Sequence, residues 1–411
     1  MIAGNIKNFV QVFRRELGII VKDKDILMII LLSPVFYAFF YGSFYMYKSE
    51  TDVPVVVLDY DNSAISREFI RNVDAHKLVK ITEFVQDYNS AQDRIFSMEA
   101  QGAIIIPANF SNNIKLVQPA DIKLLLNTSR FLPSNDINIA VNEISAQMRL
   151  DLRLKYFQKK GYNFGQVQGN IEPVREDIRA MFNYTESYGD FIIPALLVLI
   201  LQQTLLIGLS ESVAKERERG TLHELYESAN KSVWAMMSGK ASFYLMLYAA
   251  YTLFFLAVPF YVFKLTLIGN IFTLVVLSLI FLISVVYVGI FVSSFFKKKI
   301  ISLQFFVFTS YPVLLISGYV WPIQSMPWFL KALTYLMPST PYLNAFNRIT
   351  KMGAGWEHIL PEFIHLLLLA LLGFAGARIR MKMLIKKELN IHIHSHPIEI
   401  FNKILTGLKK P

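Results

Sequence analysis

Long apolar runs alternate with polar stretches along the chain. Six of them can cross a bilayer, which takes about 20 apolar residues at 1.5 Å rise each. They are Ile26–Tyr47, Phe191–Leu209, Ala241–Phe263, Ile271–Phe296, Ile300–Trp321 and roughly Ile364–Ile379. The first has no small-x-small cleavage site and is too long for a signal-peptide core, so it reads as a retained anchor helix. Only Lys264–Asn270 separates the third and fourth, which predicts a tight hairpin. After Trp321 come shorter apolar pieces broken by Pro322, Pro327, Pro338 and Pro341. Residues 322–350 therefore predict an outer re-entrant or interfacial hairpin, with Trp321, Trp328 and Tyr335 at headgroup depth.

Residues 48–189 lie between the first two spans and have a different pattern. Val53–Asp59, Leu78–Val85, Ala103–Ile106 and Ile122–Leu126 predict strands. Between them, Ile65, Phe69, Ile70 and Val73 fall at helical spacing, and Ser90–Asp93 has the form of a capping box. A longer helical pattern runs from Ser134 to Lys160 and stops at Gly161, as a stalk leading back to the membrane. The expectation is a small α/β domain. Asp59 and Asp61, past the first strand, fit metal ligation or turn formation and helix capping, and capping is the simpler reading.

Both ends read as amphipathic. Ile2, Ile6, Phe9, Val10, Phe13 and Leu17 share one helical face, with Lys7, Arg14 and Arg15 on the other. Residues 1–25 thus predict a cytoplasmic helix lying on the membrane surface. The basic tail 381–411 repeats the pattern at Ile398, Phe401, Ile404, Leu405 and Leu408.

Charge sets the orientation. Twenty-one Lys and Arg residues flank the spans on the side of the termini, against four in the short loops on the other side. The positive-inside rule places both termini in the cytoplasm and residues 48–189 outside it. Composition agrees: 54% of residues are hydrophobic and 18% charged, where soluble domains carry about 25% charged. In such a chain the net charge of +10 marks a membrane side and does not call for a nucleic-acid partner. With no cysteine, disulfides and thiolate metal sites are excluded.

The most informative polar stretch follows the second span, in the loop 211–240. Glu211/Lys215 and Glu216/Arg219 are spaced to pair along a helix continuing into water. Gly220 can end it, and Thr221 with Glu224 three residues on predicts a capping box. Leu222, Leu225 and Tyr226 give the new helix an apolar face, Asn230 ends it, and Ser232 can cap the next. This sharp corner suits force transfer from a cytoplasmic partner, or is a well-capped surface loop.

Taken together, Val53–Asp61 with Asn62, Ser63, Ser66 and Arg67, then Ala103–Pro107 with Phe110 and Ser111, then Glu218–Thr221, and Ser317–Gly318 to Met326–Pro327 and Arg348, resemble the ABC-2 type permeases. The matching branch has a large extracytoplasmic domain after the first helix. The resemblance implies an α-helical polytopic membrane protein in the inner (plasma) membrane, acting as the permease of an ATP-driven exporter. It implies cytoplasmic ABC ATPase subunits, a second permease chain and, in Gram-negative cells, a periplasmic adaptor and an outer-membrane channel. Glu216, Arg217, Glu218, Arg219, Gly220, Thr221, Glu224 and Leu225 would form the coupling element. No G-x-x-x-x-G-K-[ST] occurs, so ATP and Mg would be bound by the partner and this chain has no cofactor or catalytic residue of its own.

Gln202 and Gln203 in the second span, Gln304 and Ser310 in the fifth, and Tyr37 and Tyr41 in the first are candidates for a translocation path or a helix interface. His392, His394 and His396 share a face only if extended and lack an interleaved carboxylate, so no metal site is expected. The rival to transport is a membrane-anchored receptor or scaffold whose outer domain binds a ligand or envelope protein.

Overall fold

A computed structural model describes residues 2–47, 50–162, 181–183 and 187–407, with side chains from 8 to 389. The chain forms two compact units, one of residues Met1–Met46 with Ala180–Pro411, the other Tyr47–Arg179.

The larger unit is helical, and six of its helices are long and apolar enough to cross a membrane. α1 is Ile2–Lys22, and α2 is Lys24–Phe44. α7 (Tyr188–Arg219), α9 (Val233–Val262), α10 (Ile271–Ser293), α11 (Lys299–Ile316) and α14 (Trp356–Gly407) follow, with a short α8 (Leu222–Ser228) between α7 and α9. All six predicted spans are present. The fifth stops at Ile316, short of Trp321, and the sixth runs on without a break into the basic tail. His392, His394 and His396 therefore lie in helix and not in the extended chain that would put them on one face. The tail's apolar side chains lie outside the described ones.

The first span is not one regular helix. Met28–Leu32 make a π turn before Pro34. Proline has no N–H to offer the carbonyl four residues back, and the extra residue per turn accommodates the loss.

α1 is more than a surface helix. Val12, Glu16 and Ile20 form a stripe at four-residue spacing that is 0–1% exposed. Val10, Leu17 and Val21 face outward. Of the assigned polar face Arg14 is exposed, while Arg15 turns inward to an ion pair, and Val10 and Leu17 of the assigned apolar face are the ones left outside.

In the other unit, β1 (Val53–Asp59), β2 (Val79–Phe84), β3 (Gly102–Ile106) and β4 (Lys123–Leu126) form one sheet in the order β2-β1-β3-β4. β1 runs parallel to β2 and β3, and β4 antiparallel to β3. Both faces of β1 are covered, which explains its unbroken β-branched run. Val55 and Val57 pack with Phe69 of α3 (Ala64–Asp74) and Ile137 and Val141 of α6 (Phe131–Lys159). Val56 and Leu58 pack with Ala91 of α4 (Tyr88–Phe96). The predicted box at Ser90–Asp93 is displaced: Asp87 is the cap, accepting from the Ser90 N–H at 2.8 Å. Ser63 and Ser66 make a reciprocal box instead. Asp59 accepts from the N–H groups of Asp61 and Asn62, and Asp61 accepts from the N–H and hydroxyl of Ser111, just inside α5 (Phe110–Lys115). Both carboxylates are occupied as the capping reading expects. The predicted helix Ser134–Lys160 is α6, and Gly161, at φ +84°, follows its end; residues 163–180 lie outside the described residues.

Residues 322–350 hold α12 (Trp328–Leu336) and α13 (Ser339–Met352). Trp321, Trp328 and Tyr335 are exposed, but α13 is built into the bundle. Its Tyr342 stacks on Phe281 of α10 at 4.0 Å and shares a 2.7 Å hydrogen bond with Ser278.

Candidate coupling corner

α7 ends in a Schellman motif. The Gly220 N–H donates to the Arg217 carbonyl at 3.4 Å, and the Thr221 N–H to that of Glu216 at 2.9 Å. The motif needs a left-handed residue between them, and Gly220 supplies it at φ +67°, where a side chain would be strained. Thr221 does not cap α8. Its hydroxyl donates to Glu216 Oε2 at 2.5 Å, so the predicted box with Glu224 is not made. α8 then buries Leu222 and Leu225, each 2% exposed, in the same core as Met236, Met237 and Met381. Asn230 and Lys231 turn the chain with positive φ, and Ser232 caps α9 as expected, accepting from the Ala235 N–H at 3.3 Å.

The charges that end α7 do not pair along their own helix. Lys215 joins Asp23, between α1 and α2. Glu216 takes a two-pronged contact from Arg15, at 2.5 and 3.2 Å. Arg217 donates to the carbonyls of Ser294 and Phe296, at 2.5 Å each, where α10 ends. Glu218 accepts from the Lys299 N–H at 2.9 Å, at the start of α11. Lys299 Nζ lies 3.3 Å from Asp25 and 3.8 Å from Glu211. These longer-range pairs replace the expected Glu211/Lys215 and Glu216/Arg219 pairs, because neighbouring helices supply counter-charges nearer than the next turn does.

Electrostatics follow the contacts. Burial pulls the Arg15 pKa down, but the Glu216 hydrogen bond and charge outweigh it and hold it above the ordinary value. Burial pushes Asp23 up, and Lys215 outweighs that and holds it below the ordinary carboxylate value.

Deeper in the bundle lies a polar cluster that the sequence reading missed. Lys240 Nζ sits 2.6 Å from Glu16 Oε2 and 2.6 Å from Ser212 Oγ. Ser212 also donates to Glu16. The Tyr244 hydroxyl lies 3.2 Å from the Gly208 carbonyl and 3.4 Å from Glu16 Oε1. Gly239 lets α1 come close enough: a Cβ there would stand 2.6 Å from Val12 Cβ. A signal was present in the sequence, since Glu16 sits midway between Val12 and Ile20 in an apolar stripe. An acid there calls for a buried partner.

A family model described as ABC-2 family transporter protein matches residues 24–379. The chain belongs to the ABC-2 transporter family. Among its relatives is the "Probable multidrug ABC transporter permease YbhR" of Escherichia coli (strain K12), 26% identical over 343 residues, covering 82% of this chain and 87% of that protein. The "Probable multidrug ABC transporter permease YbhS" of the same strain is 22% identical over 351 residues, covering 82% and 87%. The "Linearmycin resistance permease protein LnrN" of Bacillus subtilis (strain 168) is 21% identical over 388 residues, covering 88% and 96%. The chain is a multi-pass permease subunit of an ABC exporter, which sets aside the anchored-receptor reading.

On this permease the eight corner residues fall into two groups. Glu216, Arg217, Thr221 and Leu225 hold the corner from within, whereas Glu218, Arg219, Gly220 and Glu224 are exposed. The path candidates do not converge. Gln202 Nε2 donates to the Ser339 hydroxyl at 3.3 Å and so ties α7 to α13. Gln203 is buried with neither amide atom bonded among the described residues. Gln304 is exposed, and Ser310 donates back to the Phe306 carbonyl at 2.8 Å. Tyr37 and Tyr41 are exposed and stack on each other at 6.0 Å.

Proposed function

We propose that this permease exports drug-like compounds with energy taken up at the corner from separate cytoplasmic ABC ATPase subunits. The observation that carries the reading is the fastening of residues 215–218. Four consecutive side chains tie the end of α7 to the Asp23 turn, α1, α10 and α11. A push on the exposed side of the corner, at Arg219 ending α7 and Glu224 on α8, is then delivered to several helices at once. Force transfer needs this stiffness, and a plain loop does not. The substrate class rests on the multidrug and linearmycin-resistance names of the relatives.

In this reading the lysine- and arginine-rich ends of the spans face the cytoplasm of the inner membrane, and residues 48–189 stand outside it. The exposed aromatic stripe of Phe36, Tyr37, Phe40 and Tyr41, with Phe305 and Phe308 on α11, serves as a contact for a second permease chain. Assembly with an adaptor and an outer-membrane channel belongs to the same proposal in Gram-negative cells. The test is co-purification with the ATPase and drug-stimulated ATP hydrolysis for Glu224→Lys at matched expression. Loss of both supports the corner as the dock, whereas wild-type values would leave it an ordinary loop.

A further inference from the structure

A groove of about 690 Å³ opens between the start of α9 and the far part of α14. Its charge is of one sign. Lys231, Arg378, Lys382 and Lys386 line it, and no acidic side chain does. On α14 the last three recur every four residues and form one exposed stripe. Among the described residues none of these three has an ion-pair partner, and Lys231 reaches Glu227 only at 3.6 Å.

The backbone adds to the same field. Ser232 caps α9 by accepting from the Ala235 N–H, so the first N–H groups, on Val233 and Trp234, have no acceptor within the helix. Both residues line the groove, and the positive end of a 30-residue helix faces it. Beside Ser232 and Tyr226, the remaining lining is apolar: Val233, Ile385, Leu389 and the Trp234 indole, which is 50% exposed. Depth completes the description. Arg378 stands beside Ile379, where the apolar run of the sixth span ends, and Trp234 lies just before the run that begins at Ala241. That is the headgroup level, where tryptophan favours the boundary between chains and water.

We propose that this groove binds the phosphate headgroup of an anionic phospholipid from the leaflet at the corner end of the bundle. Arg378, Lys382 and Lys386 neutralise the phosphate together with the α9 N-terminus, and Trp234 packs along the glycerol and upper acyl chain. A soluble anion would have no use for the apolar wall, and a neutral lipid none for four cations. The bound lipid bridges α9 and α14 on either side of Tyr226 in α8, so it steadies the corner without forming part of it. Binding does not depend on the role proposed for the corner.

The full-length purified protein tests this by native mass spectrometry with phosphatidylglycerol or phosphatidylcholine, and by thermal unfolding with each lipid. Wild type should retain phosphatidylglycerol over phosphatidylcholine. The triple variant Arg378→Gln/Lys382→Gln/Lys386→Gln should weaken phosphatidylglycerol binding by at least about tenfold, given the attraction of each basic residue for an anionic surface. Lys123→Gln/Lys155→Gln/Lys159→Gln, an equal charge loss in the α/β unit, should not. Trp234→Ala should weaken the lipid but leave any effect of soluble glycerol phosphate unchanged. Equal retention of both lipids, or unchanged phosphatidylglycerol binding in the triple variant, would overturn the proposal. Glycerol phosphate stabilising as well as the lipid would make this a free-phosphate site. Loss of ATPase co-purification in the triple variant, with lipid binding intact, would make it a protein dock.

Discussion

Lys240 and Glu16 meet at 2.6 Å with side chains 5% and 0% exposed, joining the third span to a helix that precedes the first. Removing one partner of such a pair leaves the other charge buried. Lys240→Met should therefore destabilise by about 3–5 kcal/mol. Glu16→Gln/Lys240→Met, which removes both charges, should recover most of that. Thermal unfolding of the purified variants reads the difference, and equal melting temperatures for the single and double variants would refute it.

Gly220→Val places a β-branched residue at φ +67°, at a cost of about 1–2 kcal/mol. The Schellman turn should loosen, and transport should fall more than membrane insertion does. Thr221→Ala is expected to act through Glu216, whose hydrogen bond it removes, at about 1 kcal/mol. Transport assays at matched expression separate the effects; full activity in Gly220→Val would rule out a fixed corner angle.

The α/β unit should respond to acid through Asp61. Burial pushes this carboxyl up, but hydrogen bonds from Ser63 and from the N–H and hydroxyl of Ser111 outweigh it and hold it below its ordinary 3.8. A depressed carboxyl stabilises fully above its unfolded value and loses that contribution as pH falls through the folded one. Asp61→Asn should thus weaken protection of the α5 amides at neutral pH and remove the acid-dependent part of the loss. Hydrogen exchange at Ser111–Ile114 as a function of pH measures this. An acid response that persists unchanged in the variant would assign it to another group.

Topology can be read directly in a chain without cysteine. Lys123→Cys on β4 and Glu224→Cys on α8 are both exposed positions. An impermeant maleimide should label the first in intact cells and the second only after lysis. Labelling of both from one side would refute the orientation derived from charge.

The spans and the sheet were legible because each rests on a local signal. A 20-residue apolar run or a strand such as Val53–Asp59 advertises burial wherever it lies in the chain. Ends and partners were less legible. Ser90 looks like a cap, yet Asp87 reaches the same N–H first. Thr221 has the right spacing to Glu224 but a stronger acceptor in Glu216. Glu216 was predicted to pair within its helix, and Arg15, 201 positions away, takes it instead. Spacing along one helix describes which charges can meet in isolation. It does not describe what the bundle brings alongside.

The end of α7 resembles a mast held by stays. Successive residues on an α-helix point about 100° apart. The anchors of Lys215, Glu216, Arg217 and Glu218 therefore pull from around the whole circumference. Stays set this way resist leaning in every direction and resist displacement along the axis least. In the proposed role, a force on the corner would thus be filtered by direction: sideways jostling would be absorbed at the base, while a thrust along the helix would travel into the apolar part of α7.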